Sequence, residues 1–222
     1  MQHSPQKQLP ASVKAAAVIL TAVIGGFMSR WHGGGFISGS PKILKAFLWS
    51  SPFTLASGAA FYLDGHSWTV TGIVAALVLI GCMVFKNTGH GGGMDLAHNS
   101  KEPVGPNPTR EPEKLEYLIL WLHGKMPQYW YDALLLCIIG TASTLLPALA
   151  IGYVNPWAGL VVAAGGTIGK PLGYMIGHAL KDAGLIDDLP YDINHATAVG
   201  ELLTGVIAYG CLATGTLMVV FS

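Results

Sequence analysis

The sequence predicts an all-α, polytopic membrane helix bundle, with about six transmembrane helices plus one short interfacial helix, in a single domain over residues 1–222. Three observations lead there. Charged residues make up 11% of the chain and its mean hydropathy is +0.49, against roughly 25% charged residues in an ordinary soluble domain. The apolar residues gather in blocks of about 18–25, each long enough to cross a hydrocarbon core of ~30 Å at 1.5 Å per residue. The basic residues crowd at one set of block ends.

The blocks are 11–29, 43–63, 68–85, 130–153, 157–180 and 196–221. The first follows basic residues, as a secretory signal would. It has no clear small-residue cleavage site before "RWHGG", so it reads as a retained span. The second, "ILKAFLWSSPFTLASGAAFYL", holds one charge, Lys45, near an end where it can snorkel to the interface. The third carries no charge. The fourth contains Pro147, which a packed membrane helix accommodates as a kink.

In the fifth, Gly165, Gly169, Gly173 and Gly177 recur every four residues and make a smooth stripe that lets another helix approach closely. That stripe would pack within one chain or between the chains of an oligomer. The same block holds Lys170 and Pro171 near mid-membrane. A lysine there costs at least ~2.5–3.5 kcal/mol on insertion scales, so it should face protein or water. The sixth block carries Glu201, its expected partner, offset in depth by ~9 Å at 1.5 Å per residue. A buried pair fixing helix register and a site holding substrate, ion or proton both fit. The cysteines Cys82, Cys137 and Cys211 fall inside the blocks without metal-ligand spacing and read as small core residues.

Six spans put both termini on one face, with the turns at 64–67 and 154–156. The opposite face receives 30–42, 86–129 and 181–195. Nine of the twelve basic residues belong to that second face, Lys7 and Lys14 to the first, and Lys170 to a span. The positive-inside rule makes the second face, with its loop 86–129, cytoplasmic. Tyr62, Trp68, Tyr153 and Trp157 would ring the first face, and Trp31 and Trp130 the second. Within the long loop, "KEPVGPNPTREP" reads as an extended linker. In "EKLEYLILWLHGK", Leu115, Leu118, Ile119 and Leu122 keep helical spacing, which suits the short interfacial helix or one packed on the bundle from below.

Parity also brings two related motifs to the cytoplasmic face, "RWHGGGF" after the first span and "GHGGGMDLAH" after the third. Around this mouth lie Arg30, His32, Lys42, His90, Asp95, His98 and His178. His90, Asp95 and His98 supply two imidazoles and a carboxylate, a set able to hold a divalent metal. Backbone N–H groups of a glycine loop beside Arg30 and Lys42 would instead cradle a phosphate or an anionic lipid head group. Glycines serving as tight turns remain the third reading. Equal numbers of acidic and basic residues, 12 each, exclude a nucleic-acid binder. "HGGG" without a G-x-S-x-G elbow excludes a serine hydrolase, and there is no P-loop, dinucleotide fingerprint or H-E-x-x-H.

Taken with "GKPLGY" and "GELLTG" in the fifth and sixth spans, the two glycine motifs resemble the small multi-pass membrane proteins of tailed phages and prophages. The resemblance covers most of the chain. It implies the bacterial (host) cytoplasmic membrane, a role in infection, and a site built on Arg30, His32, His90, Asp95, Lys170 and Glu201. Ala97 stands where glycine is expected, and the proline linker is particular to this chain. The expected function is a phage-type membrane accessory protein whose cytoplasm-facing cavity binds a small anionic or metal-bearing ligand. The alternatives are an enzyme acting on a lipid or isoprenoid phosphate, and an ion- or proton-coupled transporter or channel centred on Lys170 and Glu201.

Overall fold

The computed structural model describes residues 10–32, 42–85, 128–186 and 198–221. Within them the chain is all α. It has six helices: α1 (Ala11–His32), α2 (Lys42–Leu63), α3 (Trp68–Val84), α4 (Gln128–Val154), α5 (Pro156–Asp182) and α6 (Ala198–Val220). Their ends fall within three residues of the apolar blocks. Three of these helices contain a stretch long and apolar enough to cross a membrane: Ala11–Met28, Leu136–Val154 and Leu202–Val220. The third helix is apolar but shorter, at 17 residues. Serines and lysines dilute α2, and glycines and Lys170 dilute α5. The expected interfacial helix at 113–125 lies outside the described residues.

Local chemistry sets the helix ends. Ser67 caps α3, its hydroxyl accepting from the Val70 N–H at 3.4 Å. Asn155 caps α5 more fully, since its Oδ1 accepts from the Trp157 and Ala158 N–H groups at 3.1 and 3.2 Å. Pro156 occupies the first helical position, where no N–H is needed. At the other end of α5, Gly184 takes φ +68° and the Leu185 N–H reaches back to the Leu180 carbonyl at 2.9 Å, a Schellman stop.

The helices alternate in direction. Contacts run Lys14 to Phe221 and Gly26 to Leu202 between α1 and α6, and Gly152 to Gly159 and Gly140 to Gly166 between α4 and α5. One end of the bundle therefore collects the short turns at 64–67 and Asn155. There the Phe61 ring stacks on Tyr153 at 5.5 Å, and Tyr62 packs against Trp68 at 4.4 Å. Trp68, Tyr153 and Trp157 are exposed at this end, as expected of an aromatic girdle at a membrane interface. The opposite end collects the long connections.

The core is Phe53, Ile151, Val162, Tyr209 and Leu212, all under 3% exposed. Tyr209 is its centre. Its ring meets Phe53 edge-on at 5.3 Å and its hydroxyl donates to the Trp49 carbonyl at 2.8 Å. On the outside, Leu20, Leu55, Ile80, Leu149 and Leu160 are exposed on five different helices. Apolar surface spread around a whole bundle has lipid, not water, as its fitting solvent.

Candidate functional site

Glycine contacts fix how α5 sits on α6. A Cβ on Gly165 would come 2.7 Å from the Cys211 Cβ, one on Gly169 3.0 Å from Ile207 Cγ2, and one on Gly173 2.5 Å from the Gly200 carbonyl oxygen. The glycine stripe thus packs within the chain, against α6. Each step of four residues along α5 is matched by about four back along α6. This register sets Lys170 between the levels of Leu203 and Val206, two to five residues from Glu201, or ~3–8 Å along the axis at 1.5 Å per residue. The sequence-based offset of ~9 Å lies just beyond this range.

A second glycine face, which the sequence reading missed, points the other way. A Cβ on Gly166 would overlap the Thr144 side chain and the Gly140 carbonyl, and one on Gly140 would come 3.3 Å from the Lys170 Cβ. Lys170 is four residues after Gly166, so it lies on the face towards α4, about 100° round the helix from Gly169 of the stripe facing α6. Its half-buried position suits a long basic side chain with its stem against protein.

Beside it is a polar cluster. Pro171 has no N–H, so the Thr167 carbonyl four residues earlier loses its helical donor. The Cys137 thiol donates to that carbonyl instead, at 3.1 Å from α4. One turn along, the Thr141 and Thr167 hydroxyls stand 2.9 Å apart, each also within reach of its own helix, at the Cys137 and Ala163 carbonyls. Two hydroxyl protons thus serve three contacts. Cys137 is a hydrogen-bond donor here, not apolar filler. The i−4 rule for proline would have exposed the orphan carbonyl, but nothing in the sequence says which helix supplies its partner.

The other candidates divide by position. Arg30 and His32 close α1, Lys42 opens α2 and Glu201 lies in the first turn of α6, all at the long-connection end. Their backbones share that end because the helices alternate; their side chains lie outside what is described, as does that of His178. The proposed metal set His90, Asp95 and His98 also falls outside the described residues. Among the described residues, no group of three or more His, Cys, Asp or Glu stands close enough to hold a metal ion. The structure therefore groups Arg30, His32, Lys42 and Glu201 at one end and leads from there, along α5 and α6, to Lys170 and the Cys137–Thr141–Thr167 cluster.

No family model, curated protein or solved structure matches the chain.

Proposed function

We propose that the chain is a six-span protein of the bacterial cytoplasmic membrane, of the phage-encoded kind. Its long-connection end, taken as cytoplasmic, would bind a small anionic ligand, alone or carried on a divalent metal. The observation that supports this most is the α5–α6 register, which brings Lys170 to within two to five residues of the level of Glu201, towards the end that also holds Arg30, His32 and Lys42. Basic groups backed by a half-buried lysine and a glycine-rich connection suit a phosphate-type anion. Towards the short-turn end the same helices are filled by Ala158, Val162, Ile151 and Leu212. That apolar packing favours a dead-end pocket over a transport path. An enzyme acting on a lipid or isoprenoid phosphate would use the same groups, with His90 or Asp95 as acid or base.

The test is saturable binding of inorganic phosphate, with and without Mg²⁺ or Zn²⁺, to the purified full chain in detergent. Arg30→Gln should weaken it about tenfold, the scale of a lost charged hydrogen bond. No saturable binding under any of these conditions would reject the reading. Orientation is checked separately: a cysteine placed at Gly65 should react with an impermeant reagent outside intact cells, and one at Asn107 should not. Labelling of Asn107 from outside would reverse the assignment of faces.

A further inference from the structure

At the short-turn end, away from the site above, a groove of about 330 Å³ runs between α1 and α6. Lys14, Val18, Thr214, Leu217, Met218 and Phe221 line it. The geometry points to a phospholipid with an anionic head group as its occupant: phosphate at Lys14, one acyl chain along Val18, Leu217 and Met218.

The groove is laid out like such a molecule. Its charged lining residue, Lys14, is three residues inside the start of α1, next to Phe221, which follows the end of α6. That is head-group depth if these two helices span. Inward of it the lining is aliphatic, apart from Thr214, whose hydroxyl is spent on the Gly210 carbonyl at 2.8 Å. A ligand here finds a cation at the interface and an apolar track beneath it. A soluble anion would use the first and leave the second bare.

Charge complementarity selects the head group. The Lys14 ammonium stands 3.9 Å from the centre of the Phe221 ring, which holds it over the groove mouth. No carboxylate among the described residues pairs with it. Asp64, an acid at the same end, has its Oδ2 3.2 Å from His66 Nε2 instead. The partial positive charge of the α1 N-terminus and the partial negative charge of the α6 C-terminus lie side by side and offset each other. Among the described residues, the charge at the mouth is that of Lys14. A membrane-facing groove with one cation at its rim is complementary to a net-negative lipid, while a zwitterionic one brings its own ammonium against the lysine.

This inference rests on α1 and α6 being spans, and on nothing at the other end of the bundle. The test titrates the purified full chain in detergent with short-chain phosphatidylglycerol, or with phosphatidylcholine of the same tails, and follows thermal unfolding. Phosphatidylglycerol should half-saturate at a concentration about fivefold lower, the equivalent of one lysine–lipid attraction. Lys14→Gln should abolish that preference and leave tail-driven binding in place. Val18→Trp should fill the groove and weaken both lipids, and glycerol phosphate should have no effect. Equal half-saturation by the two lipids in the unaltered chain, a preference that survives Lys14→Gln, or full lipid binding after Val18→Trp would each overturn it. So would a second copy of the chain in the groove, seen as a dimer by native mass spectrometry and dissociated by Val18→Trp. Carbonate extraction of cell membranes separates the two readings. A chain that washes off fails as a spanning protein. One that stays but shows no lipid preference fails this inference alone.

Discussion

The Tyr209 hydroxyl donates to the backbone carbonyl of Trp49 across the centre of the bundle, at 2.8 Å, from a side chain that is 1% exposed. Two features of the chain permit this. Pro52 has no N–H for the Leu48 carbonyl, which loosens the ladder beside Trp49, and a backbone carbonyl has a second lone pair with which to take a side-chain donor. Gly25 leaves α1 flat where the ring passes, since a Cβ there would overlap Tyr209 itself. Tyr209→Phe removes the donor and keeps the ring. It should cost ~1 kcal/mol, the usual net worth of one hydrogen bond, read as a lower midpoint of unfolding in detergent. Tyr209→Ala should cost ~3–5 kcal/mol by opening a cavity. Equal losses would mean that the hydroxyl dominates and the ring is not packed as described.

Gly166 and Gly72 should respond oppositely to the same substitution. Gly166→Ala drives a methyl into the Thr144 side chain and the Gly140 carbonyl, backbone that cannot yield without separating α4 from α5. Overpacking of this kind typically costs ~1–3 kcal/mol. Gly72→Ala in α3 meets nothing within 4 Å and should gain up to ~1 kcal/mol of helix propensity. Unfolding midpoints of the two variants decide it. A neutral Gly166→Ala would show that the helices are further apart than described.

Cys137 and Pro171 should be coupled. Cys137→Ala strands the Thr167 carbonyl and should cost ~1–3 kcal/mol. Pro171→Ala returns a helical N–H to that carbonyl, so the same cysteine change should cost much less in its background. A double-mutant cycle of unfolding free energies measures the difference. Additive effects would show that the thiol contact carries no energy.

Lys170 and Glu201, set two to five residues apart in level by the glycine register, should also couple. Lys170→Met alone should destabilise by ~3–5 kcal/mol, the cost of breaking a buried pair, and Glu201→Gln added to it should recover much of the loss. Independent losses in the cycle would mean that each charge has another partner.

Much of this architecture was legible in the chain. Uninterrupted apolar blocks placed all six helices, and the four-residue glycine repeat foretold a close contact for α5. Alternation of directions foretold that Arg30, His32, Lys42 and Glu201 would share an end. Contacts set by residues far apart in sequence were not legible. Gly140 and Gly152 stand twelve residues apart in α4 with no four-residue repeat between them, so the crossing of Gly140 with Gly166 left no periodic trace. Tyr209 reads as one aromatic in an apolar run, and its acceptor is 160 residues away. Composition also limits what length can say. The glycines and the lysine that shape α5 are the residues that lower its hydropathy as a span.

The proline in α5 also has a consequence for how the protein is made. Alone in lipid, this helix would expose both a carbonyl without a donor and the charge of Lys170, and hydrocarbon supplies partners for neither. The thiol that satisfies the carbonyl belongs to α4, and one residue, Asn155, joins the two helices. The pair should therefore leave the translocation machinery together as a hairpin, with α4 held back until α5 is complete. In an insertion assay α5 alone should partition poorly, and joining it to α4 should rescue it; efficient insertion of α5 by itself would refute this order of assembly.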